Sequence, residues 1–316
     1  MMAATAAGVI EVCGLVKRFG ALTAVDNLNF TVQPGEIFGL VGPDGSGKTT
    51  ALRMLASVMR PDAGSIVIDG VDVLAHPERA KRHVSYMPQR FGLYEDLTVQ
   101  ENIRFYADLF EVPQSSWQAR VDRLLQAADM AAFRKRLAGQ LSGGMKQKLG
   151  LICSLVHTPR VLLLDEPTTG VDPVSRREFW QILYSLRAEG VAMLISTAYL
   201  DEAERCDRLT LLHAGSMMYC DTPAGLKARM PGAMLEVVAA DPRRALAVLR
   251  DLPGVQGVLL VGVGVHVHVD APQRLAPIGA ALAAAGVAIT TIAQVEPSIE
   301  DLFVALLDQA PVEEGA

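Results

Sequence analysis

Long apolar runs, clustered cysteines, aromatics and net positive charge are all scarce in this 316-residue chain, and each scarcity removes a class of protein. Its four cysteines stand at 13, 153, 206 and 220, and none forms a CxxC pair. Zinc ribbons and thioredoxin-type chemistry therefore have no support, and isolated thiols in apolar surroundings fit a reducing compartment. Aromatic residues make up 5% of the chain, so Ala, Val and Leu must fill the core. Half the residues are hydrophobic, which is enough for a sizeable core without staples. A formal net charge of −6 gives no global pull toward nucleic acid. No run reaches the roughly 18 apolar residues that a spanning helix needs. The nearest candidates are Val255–Val269, interrupted by His266 and His268, and Pro277–Val295, which reads better as helix then strand. The opening "MMAATAAGVIEV" has neither the basic start nor the long apolar stretch of a secretory leader. Work at a membrane is expected to need another chain that crosses it.

The length fits about two domains. Residues 9–40 carry short β-like runs separated by turn signals such as "QPGE". A glycine-rich loop follows at 42–49, with a helix expected over Thr50–Met59, and "GSIVIDGVDV" reads as a hairpin. Residues 99–157 are mostly helical in period, with "VPQSS" as a break and N-cap. "RVLLLDEP" and "VAMLIST" are apolar without alternation, as strands buried on both faces of a parallel sheet are. "RLTLLHAGSMMYCDTP" reads as two strands and a turn. Beyond a boundary near 228–233 the pattern is strand, helix, two strands, helix, strand, which is the split βαβ or ferredoxin-like order. "SIEDLFVALLDQ" supplies a last helix. The expected division is a flexible 1–8, a main domain over 9–228 with its helical part at about 99–157, a small domain over 229–310 and a tail over 311–316.

"GPDGSGKTT" matches G-x-x-x-x-G-K-[ST] and lies between a predicted strand and a predicted helix. Gly42, Pro43, Asp44, Gly45, Ser46 and Gly47 form a loop whose N–H groups can turn toward phosphate oxygens, and the helix start adds positive dipole. Lys48 is placed to reach β- and γ-phosphates, the Thr49 hydroxyl to bind Mg²⁺, and Thr50 continues the loop into the helix. In "VLLLDEP", Asp165 ends a buried strand where it can hold the metal's shell. Glu166 beside it can orient or deprotonate an attacking water. "LSGGMKQKLGL" places Ser142, Gly143 and Gly144 at a helix N-terminus, either as a simple cap or as a second set of phosphate donors.

This order of motifs resembles the ATP-binding cassette family over about residues 9–228. The resemblance implies an α/β P-loop nucleotide-binding domain with a RecA-like core, an antiparallel β subdomain and a helical subdomain. It implies that Phe19 in "VKRFG" stacks on adenine, that Gln89 is the Q-loop glutamine near the metal, and that Asp172 in "GVDP" belongs to the D-loop. It further implies ATP and Mg²⁺ as ligands, and a head-to-tail dimer in which one chain's phosphate loop and the other chain's "LSGG" enclose ATP. A cassette followed by a small α/β domain ending in "EPSIEDLFVALL" is similar to the drug-export subgroup that includes daunorubicin-resistance ATPases. "VSRREFW" and "STAYLDEAERCD" look nearest to the N-terminal half of YbhF-like tandem cassettes. Such chains serve separate ABC-2 type permeases at the cytoplasmic face of the membrane, with a second cassette from the same or another chain. The alternatives from other classes are an ATP-binding regulatory cassette with little turnover and a non-transport cassette ATPase.

The chain departs from the family pattern at Ala198, where members usually carry a histidine that contacts the γ-phosphate. Losing a positioned donor of this kind costs roughly 2.7–4 kcal/mol of transition-state stabilisation in other enzymes, so weak intrinsic hydrolysis is expected, the alternative being that Glu166 suffices and the chain is active as a homodimer. His266, His268 and Asp270 share one strand face in "HVHVD" and could bind a metal. The simpler expectation is a solvent-facing strand with Val265, Val267 and Val269 turned inward. The basic run at 134–136 reads as a solvated helix end.

Overall fold

The computed structural model describes residues 9–309. The expectations for residues 1–8 and 311–316 lie outside the described residues. Two compact units account for the rest.

The first unit, through Tyr199 and again over Cys206–Cys220, holds one ten-stranded sheet. Its elements begin with β1 (Ile10–Phe19), β2 (Leu22–Val32), β3 (Ile37–Val41), α1 (Lys48–Leu55), β4 (Ala63–Ile68), β5 (Val71–Asp72), α2 (Pro77–Lys81) and β6 (Val84–Met87). The helices α3 (Val99–Leu109), α4 (Gln114–Ala127) and α5 (Gly143–Ser154) follow, as the periodicity of 99–157 requires. Then come β7 (Val161–Asp165), α6 (Pro173–Ala188) and β8 (Ala192–Thr197). A short α7 (Leu200–Ala203) precedes β9 (Arg208–His213) and β10 (Ser216–Asp221). The sheet runs β5-β4-β1-β2-β10-β9-β3-β8-β7-β6. From β9 through β3, β8 and β7 to β6 the strands pair parallel, whereas β1 pairs antiparallel with β2 and β4. Every residue of β3, β7 and β8 is buried, which explains their unbroken apolar sequences. The β4–β5 hairpin turns on Asp69 and Gly70, both at positive φ, as a two-residue Asp-Gly turn demands.

Two boundaries differ from the sequence reading. Helix α1 starts at Lys48, because Gly47 (φ 99°) serves as its N-cap, and it stops at Leu55 before Ser57 enters the left-handed region at φ 57°. Helix α4 starts directly after Pro113, which takes the N-cap position without a side-chain bond, so the serines of "VPQSS" lie inside the helix.

The second unit comprises Leu200–Arg205 and the chain from Asp221 onward, rather than starting at 229. It contains α7, α8 (Pro223–Lys227), β11 (Ala233–Ala239), α9 (Pro242–Leu249), β12 (Val255–Val261), β13 (Gly264–Val269), α10 (Leu275–Ala284), β14 (Ile289–Val295) and α11 (Ile299–Gln309). Its four strands form an antiparallel sheet in the order β12-β13-β11-β14. Its core gathers Leu235, Val237, Leu249, Val265, Val267, Val269 and Leu282. The segment Leu200–Arg205 is fastened there by Glu204, whose carboxylate accepts from the Ile299 N–H at 3.0 Å and pairs with Lys227 at 2.9 Å.

Candidate nucleotide site

The C-terminal ends of the parallel strands deliver the site. Strand β3 runs into the loop 42–47, and β7 ends in Asp165 with Glu166 directly after it. Strand β8 lies between them, with Asp165 opposite Ser196 and Val41 opposite Thr197. The loop closes tightly on its surroundings. A Cβ at Gly42 would stand 2.3 Å from the Leu212 carbonyl oxygen, and one at Gly47 2.3 Å from that of Ala24. Two of the glycines are therefore required by packing before any ligand is considered.

Lys48 is buried, and its Nζ donates to the carbonyls of Gly42 (2.8 Å) and Pro43 (2.9 Å) while standing 3.4 Å from Glu166 Oε1. Gln89 Nε2 donates to the other Glu166 oxygen at 3.1 Å. Asp165 accepts from three hydroxyls: Thr49 (2.9 Å), Ser196 (2.7 Å) and Tyr86 (3.1 Å). Burial, reinforced by the Asp165 charge, pushes the Tyr86 phenol up to about 12, so it stays a proton donor. Glu166 has a left-handed backbone at φ 47°, a conformation that costs a non-glycine residue about 1–3 kcal/mol and persists only where the surroundings hold it. Its N–H donates to both the carbonyl (3.1 Å) and the hydroxyl (2.9 Å) of Ser196.

Phe19, Asp44, Gly45, Gly47, Lys48, Thr49, Thr50, Gln89 and Glu166 line one open cavity of about 550 Å³. Gly42, Pro43 and Ser46 complete its loop, with Lys48 tied to the first two. Phe19 stands half exposed, with Lys17 Nζ 5.6 Å from its ring centre. A second cavity of about 520 Å³ opens beside Asp69 and Arg160, before the start of β7. There Arg160 and Asp69 already satisfy each other at 3.1 Å, so the first cavity is the better phosphate site.

Ser142, Gly143, Gly144 and Asp172 are not among the residues that line the 550 Å³ cavity. Ser142 caps α5 by accepting from the Met145 N–H at 3.3 Å. Asp172 caps α6, accepting from Val174 and Ser175 N–H at 3.1 and 2.9 Å, and the Ser175 amide holds its carboxyl below the usual range. Ala198 occupies an exposed bend just after β8.

The "HVHVD" strand is a structural feature. His266 pairs with Asp301 at 2.9 Å, His268 meets the Pro231 carbonyl at 2.7 Å, and Asp270 pairs with Arg274 at 2.7 Å. His268 is buried and His266 largely so, which corrects the expectation of a solvent-facing strand, while Val265, Val267 and Val269 are inward as expected. No cluster of His, Cys, Asp and Glu able to hold a metal exists among the described residues. The sequence reading missed Ser196 and Tyr86. Only the pairing of β8 and β6 with β7 brings them to Asp165.

Residues 25–169 match the family model described as ABC transporter. The chain is 43% identical over 311 residues to the probable multidrug ABC transporter ATP-binding protein YbhF of Escherichia coli, covering 97% of this chain but 53% of that protein. It is 34% identical over 317 residues to the daunorubicin resistance ATP-binding protein DrrA3 of Streptomyces coeruleorubidus, covering 97% of this chain and 98% of that one. Among solved structures, an ATP-binding subunit of an ABC transporter superposes with a TM-score of 0.64 at 29% identity, over 70% of this chain and 92% of the other. The bacterial cassette MJ0796, solved as a dimer, matches with a TM-score of 0.60 at 25% identity, over 67% and 98%. The chain belongs to the ABC transporter family, among its ATP-binding proteins.

Proposed function

We propose that this chain is the ATP-hydrolysing subunit of an ABC-2 type exporter of drugs or other small molecules, working as a dimer of cassettes on separate permease subunits. The observation that carries the reading is the convergence of Lys48, Thr49, Gln89, Asp165 and Glu166 at the ends of adjacent parallel strands beside one cavity. Lys48 takes the β/γ-phosphate charge, exchanging its loop carbonyls for phosphate oxygens. Phe19 offers an exposed ring for adenine. Glu166 holds and deprotonates the attacking water, with Gln89 steering its carboxylate. An all-oxygen donor set from the Thr49 hydroxyl, Asp165 and the Gln89 amide suits Mg²⁺, which takes few protein ligands and completes its shell with phosphate and water. When bound, the metal would neutralise charge on the phosphates.

Dimeric action is supported by the signature glycines. A Cβ on Gly144 would stand 2.4 Å from Ser175 Cβ, so its identity serves packing of α5 on α6. A Cβ on Gly143 would meet nothing nearer than the Gly170 carbonyl at 3.9 Å. Its bareness serves no contact within this chain, as expected if a nucleotide held by another cassette approaches it. No described helix is long and apolar enough to cross a membrane, and in this reading separate permease subunits form the membrane path. A groove of about 270 Å³ lined by Val58, Tyr86, Phe91 and Phe110 offers that partner an apolar seat. The export subgroup is supported by the names of the relatives YbhF and DrrA3, although the chain spans only 53% of the former. We read the second unit as a ferredoxin-like module, because its βαββαβ order and antiparallel sheet, with the first and third strands central, suit that arrangement.

The test is a pair of variants followed by fluorescent-nucleotide titration and phosphate release. Lys48→Ala is expected to weaken ATP binding at least tenfold. Glu166→Gln should retain ATP affinity and lose turnover. Equal affinity in wild type and Lys48→Ala would remove the site assignment.

A further inference from the structure

We infer that Ser196 is a positioning residue for hydrolysis, one hydroxyl that sets both carboxylates of the "DE" pair. The inference rests on the role proposed for Glu166 and assigns the device that holds it.

Ser196 is fully buried near the C-terminal end of β8, between the strand that feeds the phosphate loop and the strand that ends in Asp165. A buried hydroxyl can donate once and also accept, and here the two bonds go to the two adjacent acids. The Ser196 O–H donates to Asp165 Oδ1 at 2.7 Å, with the Leu164 carbonyl more distant at 3.5 Å. The same oxygen accepts the Glu166 N–H at 2.9 Å. Because Glu166 has a left-handed backbone, its side chain leaves the strand in a direction that an extended residue would not give it. It reaches the cavity beside Lys48 and Gln89. The bond to its N–H favours that backbone state.

The hydroxyl also divides the duties of two adjacent acids. Asp165 Oδ1 receives Thr49 and Ser196, while Oδ2 receives Tyr86, so the carboxylate is fixed in rotation about its own axis. Glu166 Oε atoms stay with cavity-facing donors, Gln89 at 3.1 Å and Thr169 at 3.4 Å. An alanine at 196 leaves the backbone carbonyl as the only acceptor for the Glu166 N–H and leaves Asp165 held by Thr49 and Tyr86 alone. ATP contacts through Lys48 and Phe19 are untouched by that change.

The experiment compares the full chain with Ser196→Ala, Ser196→Thr, Glu166→Gln and the Ser196→Ala/Glu166→Gln double variant. Steady-state phosphate release and thermal unfolding are measured for all, together with hydrogen–deuterium exchange of peptides covering 161–170 and 191–198 without nucleotide. Ser196→Ala is expected to lower kcat at least tenfold with KM for ATP within twofold. Faster exchange should be confined to the residues after Leu164, and the hydroxyl of Ser196→Thr should restore part of the rate. In the Glu166→Gln background the second substitution should cost nothing more. If Glu166→Gln is inactive while Ser196→Ala turns over normally, the positioning role falls and the base assignment stands. If Glu166→Gln itself turns over normally, both fall. A Ser196→Ala effect that appears equally in KM, melting temperature and exchange throughout β7 and β8 would also overturn the role, because it would mark Ser196 as structural only.

Discussion

At the residue scale, Ala198 stands where the resemblance leads one to expect a histidine, and that expectation can be tested. It sits on an exposed bend, so a larger side chain there meets little steric resistance. Ala198→His is expected to raise turnover about tenfold, equivalent to about 1.4 kcal/mol off the barrier, with little change in ATP affinity. Phosphate release by the two proteins checks this. A wild type that is already brisk, with no gain on substitution, would show that the site manages without the imidazole. Tyr86 gives a second residue-level expectation. Its phenol is raised from 10.0 to about 12, first by burial and then by Asp165. The folded state therefore holds that proton more tightly than the unfolded chain. The stabilisation is fully present below pH 10 and is lost as pH rises from about 10 through 12. Tyr106, raised to about 12 by burial, acts in the same window. Urea melts between pH 9 and 11.5 should show a shallower alkaline loss in Tyr86→Phe than in the parent.

At the scale of elements, the two signature glycines should separate cleanly. Gly144→Ala forces α5 and α6 apart at Ser175 and should cost about 1–3 kcal/mol of stability, read as a lower melting temperature. Gly143→Ala meets open space and should melt like the parent, yet fail to form an ATP-dependent dimer on size exclusion in the Glu166→Gln background. Elements also show what a sequence can disclose. Strands β7 and β8 announce themselves because burial on both faces leaves no polar position before their ends. The phosphate loop announces itself because its glycines are needed for both shape and ligand. Ser196 and Tyr86 were illegible because their meaning depends on strand order: a serine in "LIST" acquires a role only when β8 is placed beside β7. Alternation puts His266 and His268 on one face, which offers metal binding as the lesser alternative and a solvent-facing strand as the simpler one. Their partners, Asp301 and Pro231, lie 35 and 37 residues away, where no local pattern points.

At the scale of the molecule, the residues lining the candidate nucleotide cavity all belong to the first unit, and the six residues after Tyr199 belong to the second. Ending the chain after Met230 should leave ATP affinity within about twofold, because no residue of the cavity is removed. It should also expose Arg205 to trypsin, because α11 packs on α7 and would be gone. Loss of nucleotide binding in a truncated protein that remains folded would refute this.

That six-residue loan also sets a timetable for assembly on the ribosome. The Glu204 carboxylate waits for the Ile299 amide 95 residues downstream, about 5–20 s of synthesis at ordinary elongation rates. Strand β9 can therefore join its sheet while the six residues just before it still lack their final neighbours. The nascent cassette has its phosphate loop and both acids in place before the stretch following Ala198 is tied down. ATP thus has an interval in which to meet a finished pocket joined to an unfinished clasp.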